Sequence, residues 1–425
     1  YLDALAEQNL KLVAVTETHI HADFVSGSRE LANVTGAKLY LSGDGDSDWQ
    51  YGFAKEATIL HNGDTFDVGE VRIQALHTPG HTPEHMTFLV TDTPVGNEPI
   101  GALTGDFIFV GDVGRPDLLE RAAGMAGTME KGARQLFASI REFKKRPDYL
   151  QIWPGHGAGS ACGKSLGSMP QSTLGYEKLF NWAIAEENED AFVREVLAGQ
   201  PEPPAYFAKM KYINRDGPAP SPTTLPPPLD SSAFKRAKGP IIDTRTTSEF
   251  ALGHLRNSIN IPHGKSFLKY AGSLLPYDQD LFFIGGVSEH DRRTLARELS
   301  LIGIERIAGV IPASALSEDL ITVDETTVDK VASGGAAAIL DVRARSEFEA
   351  GHLPNAINIP VGELPQRLDE VPRGEVVVHC QGGTRSAIAA SILQQSGRDD
   401  VSNMLGGFGE WDRKGLAVER RNGKE

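Results

Sequence analysis

Two stretches in the C-terminal half of the chain are copies of one another. Residues 241–262 read IIDTRTTSEFALGHLRNSINIP and residues 339–360 read ILDVRARSEFEAGHLPNAINIP, with 14 of 22 aligned positions identical at an offset of 98. Each copy predicts an apolar strand ending in Asp-x-Arg, a helix, a Gly-His-Leu turn and a second short strand. A further strand and helix follow each copy. Because strands and helices alternate, the repeat predicts two small α/β domains with mainly parallel sheets.

A loop that contains a cysteine follows the second copy. Residues 376–379 predict a buried strand and residues 387–395 predict a helix. The loop between them consists of Cys380, Gln381, Gly382, Gly383, Thr384, Arg385 and Ser386. Backbone N–H groups at the start of a helix favour a thiolate, so we expect Cys380 to be an acidic, nucleophilic thiol. The two glycines let the loop turn tightly around the sulfur, and Arg385 can pair with an anion.

The second copy and its loop resemble the rhodanese sulfurtransferases. The matching motifs are Asp341-Val342-Arg343, Gly351-His352-Leu353 and Ile357-Asn358-Ile359-Pro360. The loop has the sulfurtransferase spacing Cys-x4-Arg, whereas the related thiol phosphatases and arsenate reductases have Cys-x5-Arg. The resemblance implies that Cys380 becomes a persulfide within this loop and passes the outer sulfur on.

The first copy keeps the rhodanese motifs but has no cysteine. Its next predicted strand, 281–284, is followed by Gly285-Gly286-Val287-Ser288, and Ser288 is a poor substitute for a sulfur carrier. We therefore predict a degenerate rhodanese copy that spaces, docks or orients the domains on either side of it. A binding site for a small anion is the alternative.

Four turns that carry histidine or aspartate follow predicted strands in the N-terminal half. They are Thr18–Asp23, Thr78–Thr82, Leu103–Asp106 and Pro154–Gly157. Side chains at the carboxyl ends of strands are aimed rigidly into a crevice. His19 and His21 are two residues apart, so an extended backbone would direct both to the same side. Together the four turns predict a metal site.

This ordered set resembles the metallo-β-lactamase superfamily, whose αββα fold carries its metals at one edge of two packed sheets. Within it, the pattern is most similar to the persulfide dioxygenases and to the related glyoxalase II hydrolases. Dinuclear members read His-x-His-x-Asp-His, whereas this chain has Phe24 at the last position. A phenyl ring cannot ligate a metal, which weakens the second metal site.

The resemblance to the dioxygenases implies one Fe(II) per chain, held by His19, His81 and Asp106. Two imidazoles and one carboxylate with open positions suit non-haem Fe(II) and O₂, whereas zinc has no redox chemistry. The same resemblance places His21, Asp23 and His156 around the site without binding the iron, where they would orient ligands or hold water.

Two residues near these turns have open interpretations. Arg115, in the family's GR-x-D turn, holds the site's carboxylates or a substrate anion, or it forms a structural salt bridge with Asp112 or Asp117. Cys162 follows the fourth turn and handles substrate or is inert packing. In the first case Lys164 would lower the pKa of the thiol or attract an anionic thiol cofactor.

Prolines crowd the stretch between Pro201 and Pro228, which predicts a semi-extended linker. We therefore assign residues 1–228 to a metallo-β-lactamase-like domain with its linker, 229–318 to the degenerate rhodanese domain and 319–425 to the active one. Only about eighteen residues precede His19, so we expect the opening strands of the first domain to be missing from the chain.

Composition excludes several classes of protein. The 425 residues carry a formal net charge of −15, which argues against nucleic-acid binding. No apolar stretch reaches the length of about 18 residues that a membrane span needs. The two cysteines, Cys162 and Cys380, exclude a disulfide framework and fit a reducing cytoplasm. We expect a cytoplasmic homo-oligomer.

Taken together, the resemblances imply a fused persulfide dioxygenase and sulfurtransferase. It would oxidise a low-molecular-weight persulfide of the glutathione, coenzyme A or bacillithiol type with O₂ to sulfite, and Cys380 would transfer sulfur from a second persulfide to sulfite, making thiosulfate. One alternative is a glyoxalase II-like thioester hydrolase fused to a rhodanese sulfur carrier, which would need two metals. Another is a sulfur-relay scaffold with a structural metal.

Overall fold

The computed structural model describes most of the chain: residues 1–118, 120, 127–158, 160, 162–164, 166–200, 202–222, 224–232, 236–316, 320–334 and 338–420. It divides into two compact units, Tyr1–Ser221 and Pro222–Glu425. Within the described ranges, no helix has both the length and the apolar character needed to cross a membrane.

The first unit contains two β-sheets. One is parallel and has three strands, β1 (Ala14–Thr16), β2 (Lys38–Ser42) and β3 (Thr58–Leu60). The other has six strands in chain order, antiparallel except where β7 pairs with β8: β4 (Thr65–Val68), β5 (Val71–His77), β6 (Met86–Asp92), β7 (Gly101–Gly105), β8 (Gln151–Pro154) and β9 (Ser172–Thr173).

Three of the described helices of the first unit begin at side-chain caps. The Asn188 side chain accepts from the Ala191 N–H, and Thr173 caps its helix in the same way, which satisfies N–H groups that lack a partner within the helix. The described helices are α1 (Leu2–Glu7), α2 (Ser28–Thr35), α3 (Thr128–Phe143), α4 (Leu174–Phe180), α5 (Trp182–Ala185), α6 (Glu189–Leu197) and α7 (Phe207–Asp216).

The two sheets of the first unit pack face to face. Tyr40 and Leu60 of the small sheet bury their side chains against Met86 and Phe88 of the large one. Helices α3 and α6 cover the outer face of the large sheet, and α2 covers the outer face of the small one. Burying each large apolar side chain contributes about 1.5–3 kcal/mol. The predicted αββα order is confirmed.

The second unit contains two parallel sheets and a short antiparallel pair, β11 with β15. The four-stranded sheet has the order β12-β10-β13-β14, and the five-stranded sheet has the order β16-β20-β19-β17-β18. The strands are β10 (Ile241–Asp243), β11 (His254–Leu255), β12 (Ser258–Asn260), β13 (Leu281–Gly285), β14 (Ile307–Pro312), β15 (Leu320–Ile321), β16 (Asp324–Thr326), β17 (Ala338–Asp341), β18 (Ile357–Asn358), β19 (Val376–His379) and β20 (Val401–Met404).

Helices alternate with these strands, as the repeat predicts for two α/β domains. They are α8 (Thr247–Leu252), α9 (Phe267–Leu274), α10 (Glu289–Ser300), α11 (Val328–Ala332), α12 (Arg345–Ala350), α13 (Thr384–Gln395) and α14 (Gly407–Arg413). The predicted fold, a metallo-β-lactamase-like domain followed by two rhodanese-like α/β domains, is confirmed.

The predicted semi-extended linker is wrong over residues 207–216, which form α7. Prolines flank this segment but do not interrupt it, and Phe207 and Met210 are buried. The Asn214 side chain donates to the carbonyl oxygens of His21 and Phe24, at 2.8 and 2.6 Å. Helix α7 therefore supports the histidine loop that follows β1.

Candidate functional site

Three predicted metal ligands meet at one edge of the packed sheets. His19 follows β1, His81 lies in the turn between β5 and β6, and Asp106 follows β7. The Nε2 atoms of His19 and His81 lie 3.9 and 3.4 Å from Asp106 Oδ2. One ligand atom from each residue lies within 4.8 Å of the others, and all three side chains are buried.

The other ring nitrogen of each histidine is already engaged. His81 Nδ1 lies 2.9 Å from the carbonyl oxygen of Arg115, to which it can only donate. His19 Nδ1 lies 2.9 Å from Thr18 Oγ1. Both rings are thereby fixed with Nε2 facing Asp106, which is how proteins orient imidazoles that bind a metal.

Asp106 supplies the test of whether these residues fit a cation. Both of its carboxylate oxygens are buried, and neither accepts a hydrogen bond from a described residue. A buried carboxylate without a partner is costly, and a bound cation removes that cost. Two neutral imidazoles and one uncompensated carboxylate therefore fit a divalent metal ion.

His21 lies beside this group but faces another partner. Its Nε2 is 3.2 Å from Glu17 Oε2, and its ring centroid is 4.2 Å from that of His19. Burial lowers the pKa of His21, but the hydrogen bond to Glu17 and the charge of Glu17, helped by Asp23 and Asp106, raise it overall to about 9. The Glu17 contact holds the imidazole in place next to the ligands.

Asp23, His156 and Cys162 form a second group next to the first. Each offers one ligand atom, and these atoms lie within 4.8 Å of one another. His156 Nε2 is 3.3 Å from Asp23 Oδ2 and 3.5 Å from Asp106 Oδ2, so Asp106 lies between the two groups. The sequence predicted Asp23 and His156 around the site but did not predict that Cys162 would join them.

The predicted influence of Lys164 on Cys162 is wrong. The Lys164 ammonium donates to the Glu195 carboxylate at 2.7 Å and lies 4.8 Å from the centre of the Trp182 ring. Burial raises the pKa of the Cys162 thiol well above its usual value, and the negative charges of Asp106 and Asp23 raise it further. In this environment the thiol stays protonated unless a cation joins it.

Arg115 acts on the site through its backbone. Its carbonyl oxygen fixes His81, and its N–H donates to the Cys162 carbonyl oxygen at 3.1 Å. The guanidinium is buried and donates to both Asp117 oxygens at 2.7 and 2.8 Å. Of the two interpretations of Arg115, this geometry supports the structural salt bridge.

The Cys380 loop is the second chemical centre and lies between β19 and α13. Cys380 Sγ accepts the Gly383 N–H at 3.0 Å and lies 3.5 Å from Ser386 Oγ. Gly383 has φ 114°, a conformation that favours glycine. The Phe408 N–H donates to the Cys380 carbonyl oxygen at 2.7 Å, so the start of α14 also holds the loop in place. Donors converge on the sulfur, as a thiolate requires.

The outer residues of this loop are exposed to solvent, whereas its arginine is already paired with a carboxylate. Gln381 and Thr384 are exposed, and nothing lies within 4 Å of a Cβ placed on Gly382. Arg385 donates to both Glu347 oxygens, at 2.5 and 2.9 Å. The expected pairing of Arg385 with an anion would therefore have to compete with Glu347.

Comparisons with known proteins agree with this architecture. The metallo-beta-lactamase superfamily model matches residues 2–156, and the rhodanese-like domain model matches residues 230–311 and 325–414. A solved metallo-beta-lactamase from Staphylococcus aureus subsp. aureus COL is 43% identical, with a TM-score of 0.67 over 73% of this chain and 88% of that one. This chain belongs to the metallo-beta-lactamase superfamily. It also carries two rhodanese-like domains.

Two curated relatives match separate parts of this superfamily member. A sulfurtransferase from Allochromatium vinosum is 33% identical over 95 residues, which are 22% of this chain and 89% of the relative. A probable polyketide biosynthesis zinc-dependent hydrolase, BaeB, from Bacillus velezensis is 26% identical over 176 residues, which are 41% of this chain and 70% of the relative.

Sequence reasoning missed three residues of the metallo-beta-lactamase site. His85 is buried, stacks on His19 and accepts the Asp106 N–H at 3.2 Å, which positions the ligand carboxylate. Tyr206 precedes α7, and burial raises the pKa of its phenol, with the charges of Asp23 and Cys162 adding to this. Glu17 holds His21. Only His85 has a sequence signal, because it lies four residues after His81.

Proposed function

We propose that this protein is a non-haem Fe(II) persulfide dioxygenase coupled to a thiosulfate-forming sulfurtransferase. The observation that carries the proposal is the presence of two complementary centres in one chain. One is a buried group of two imidazoles and an uncompensated carboxylate, and the other is a thiol in a cradle of N–H and O–H donors.

The first centre fits oxidation of a persulfide sulfur. His19, His81 and Asp106 would hold iron, which supplies O₂ activation at this donor set. Beside them lies a buried apolar cluster that includes Phe109, Leu118 and Phe207, and this cluster keeps water away from a bound thiol compound. The overall change is RSSH + O₂ + H₂O → RSH + SO₃²⁻ + 2 H⁺, in which the outer sulfur is oxidised and O₂ is reduced.

The second centre fits transfer of a sulfur atom. The Cys380 thiolate attacks the outer sulfur of a second persulfide, forms Cys–S–S⁻ and releases RSH. The Gly383 N–H and the Ser386 hydroxyl stabilise negative charge on the sulfur that carries it. Sulfite then attacks the outer sulfur, which restores the thiolate and releases thiosulfate.

A second candidate function, thioester hydrolysis with two zinc ions, is favoured by one observation. Asp23, His156 and Cys162 form a second donor group beside Asp106, so Cys162 offers a ligand that Phe24 cannot. The zinc-dependent hydrolase among the relatives is consistent with this alternative. It leaves the Cys380 cradle without a role in the main reaction, which is why we place it second.

The deciding experiment measures O₂ uptake by the iron-loaded protein given glutathione persulfide or coenzyme A persulfide, with sulfite and thiosulfate assayed in parallel. We expect His81→Ala to abolish O₂ uptake. Cys380→Ser should keep O₂ uptake but reduce thiosulfate formation by about 10³-fold or more, with sulfite accumulating instead. Ser288→Ala, in the cysteine-less copy, should change neither product.

A different set of results would support the hydrolase function. If no persulfide supports O₂ uptake, while the protein binds two zinc ions per chain and cleaves a glutathione thioester, the hydrolase function replaces the dioxygenase. Metal content measured on wild type and Cys162→Ser shows whether the second group binds its own ion.

A further inference from the structure

The two rhodanese-like copies are in direct contact within the second unit. The backbone N–H of Asn260, in β12 of the first copy, donates to Ser391 Oγ of α13 at 2.9 Å. Gln395, at the end of α13, donates to the Asn257 carbonyl oxygen at 2.9 Å. Helix α13 is the helix that begins at the Cys380 loop. The cysteine-less copy is therefore packed against the element that carries the thiol chemistry.

Helix α9 of the first copy lies on the same side as the loop. Ser273 Cβ is 3.8 Å from the position of a Cβ placed on Gly362, which lies in the second copy. Burial raises the pKa of the Tyr270 phenol; Arg385 opposes this effect, and negative charge at Cys380 and Glu347 adds to it. Tyr270 lies three residues before Ser273, so the two share a face of α9, and this face meets the second copy at Gly362. Backbone hydrogen bonds from Val361 to Val342 and from Val342 to His379 place Gly362 at the sheet edge that carries the Cys380 loop.

Lys269 lies four residues before Ser273, so it brings positive charge to the face of α9 that meets the second copy. Partial desolvation lowers the pKa of its ammonium, Arg385 lowers it further, and Glu347 acts in the opposite direction. Lys269 is exposed, and its ammonium makes no hydrogen bond or ion pair with any residue in the described ranges.

Charge compensation distinguishes Lys269 from Arg385. The Arg385 guanidinium donates to both oxygens of Glu347, so most of its charge is neutralised by a partner in its own domain. No such partner holds Lys269 among the described residues. Nothing lies within 4 Å of a Cβ placed on Gly382, so the loop has space for a small molecule at this residue.

We propose that the cysteine-less copy supplies an anion-docking subsite to the active one, in which Lys269 attracts a small sulfur oxyanion to the Cys380 loop and Tyr270 orients it through its hydroxyl. The inference deepens the proposed function and rests on it for the chemical identity of the anion, sulfite. It gives the degenerate copy a specific task, since it contributes side chains to a reaction that it cannot perform itself.

The test compares alkylation of Cys380 in the full-length protein by anionic iodoacetate and by neutral iodoacetamide, followed by mass spectrometry of the Cys380 peptide. Lys269→Ala should slow the iodoacetate reaction roughly three- to tenfold at low ionic strength and leave the iodoacetamide rate unchanged. Lys269→Glu should slow it further. Lys238→Ala removes an exposed lysine from the same copy and should change neither rate.

Sulfite protection tests the second residue. Sulfite should slow the iodoacetamide reaction in wild type, and this protection should weaken in Lys269→Ala and in Tyr270→Phe, which keeps the ring and removes the hydroxyl. Equal iodoacetate-to-iodoacetamide ratios in wild type and Lys269→Ala would overturn the subsite even if thiosulfate is formed. A changed ratio in a protein that makes no thiosulfate would support the subsite and reject the proposed function.

Discussion

The two rhodanese-like copies share one scaffold and differ in what fills the cradle at its edge. In the first, Arg245 donates to Asp243 at 2.6 Å and to the Gly253 carbonyl oxygen at 2.9 Å. In the second, Arg343 donates to Asp341 at 2.6 Å and to the corresponding glycine carbonyl oxygen at 2.7 Å. A stacked Phe–His pair, with ring centroids 3.7 Å apart, follows in each copy. The sequence identity of the repeat is therefore explained by scaffold contacts.

The loops between strand and helix have the same length in the two copies but differ in the residue at the cysteine position. Asp243 pairs with Ile284 as Asp341 pairs with His379, so Gly285, the residue after Ile284, takes the place of Cys380. Ser288 does not stand at the cysteine position. In both copies the helix begins four residues after the cysteine position, at Glu289 and Thr384, so Ser288 corresponds to Gly383.

A carboxylate occupies the degenerate cradle. The Ser288 N–H donates to Asp291 Oδ2 at 3.2 Å, whereas the equivalent N–H in the active copy donates to the cysteine sulfur. A Cβ placed on Gly285 would overlap Thr244 Oγ1. The first copy thus has a carboxylate bound to the N–H that holds the sulfur in the active copy, and its negative charge speaks against an anion site at this N–H.

The largest expected effect is the loss of stability when the Asp–Arg ion pair is broken, because this pair is more deeply buried in the second copy than in the first. Arg343 and Asp341 are 2% and 0% exposed, whereas Arg245 is 16% exposed over a fully buried Asp243. Arg343→Ala leaves a buried carboxylate without its partner and should destabilise its copy by about 3–5 kcal/mol. Arg245→Ala should cost less because water reaches the vacated site. Hydrogen exchange of peptides from β10 and β17 reports each copy separately, and equal losses of protection in the two variants would contradict this ranking.

The next largest effect is the change in stability and thiol reactivity expected when the cysteine loop is rebuilt in the first copy. Gly285→Cys alone should destabilise this copy by about 1–3 kcal/mol, because the new side chain overlaps Thr244. Adding Thr244→Ala removes the overlapping Oγ1, and adding Asp291→Ser frees the Ser288 N–H for the sulfur. We expect the introduced thiol to react with iodoacetamide faster in the triple variant than in the single one.

The control for this reconstruction carries Thr244→Ala and Asp291→Ser without the cysteine. Its melting temperature separates the loss of the Asp291 cap from the effect of the thiol. If the single variant is as stable as wild type, or if the thiol of the triple variant reacts no faster than that of the single variant, then cradle filling does not explain why the first copy lacks a cysteine.

Sequence patterns predicted the strand, loop and helix around Cys380 closely. The apolar run of β19 and the two glycines are local signals, and the structure ends the strand at His379 and the helix at Gln395. The meeting of His19, His81 and Asp106 was predictable for the same reason, since each lies in a turn that directly follows its own strand.

Contacts between distant segments could not be predicted in this way. Lys164 is near Cys162 in sequence, yet its long side chain extends to Glu195 in α6. Asn214 reaches the histidine loop from α7, 190 residues away along the chain. Ser273 of α9 approaches Gly362 of the other copy. Each of these depends on how helices pack, which a local pattern does not record.

The smallest expected effect concerns a glutamate at the start of the equivalent helices α8 and α12. Glu249 accepts the Thr246 hydroxyl at 2.6 Å, whereas Glu347 accepts Arg385 instead. The hydrogen bonds from Thr246 hold the pKa of Glu249 below its usual value. Burial raises the pKa of Glu347, but the hydrogen bond and charge of Arg385 outweigh burial and lower it overall. The pKa is thus lowered in both carboxylates, mainly by a neutral partner at Glu249 and by a charged partner at Glu347.

Acid should therefore weaken both copies, whereas salt should separate them. A carboxylate with a lowered folded pKa contributes stability above its unfolded pKa of about 4.3, and the contribution is lost as pH falls through the lower folded value. At neutral pH, Glu347→Gln should cost less than about 1 kcal/mol, and the cost should shrink in high salt because the pair with Arg385 is partly exposed. The cost of Glu249→Gln should depend less on salt, since its main partner, Thr246, carries no charge and Arg245 adds only a smaller charge effect. Melting temperatures of both variants across pH and salt make the comparison, and equal salt dependence would show that Arg385 contributes no more to its glutamate than a hydroxyl does.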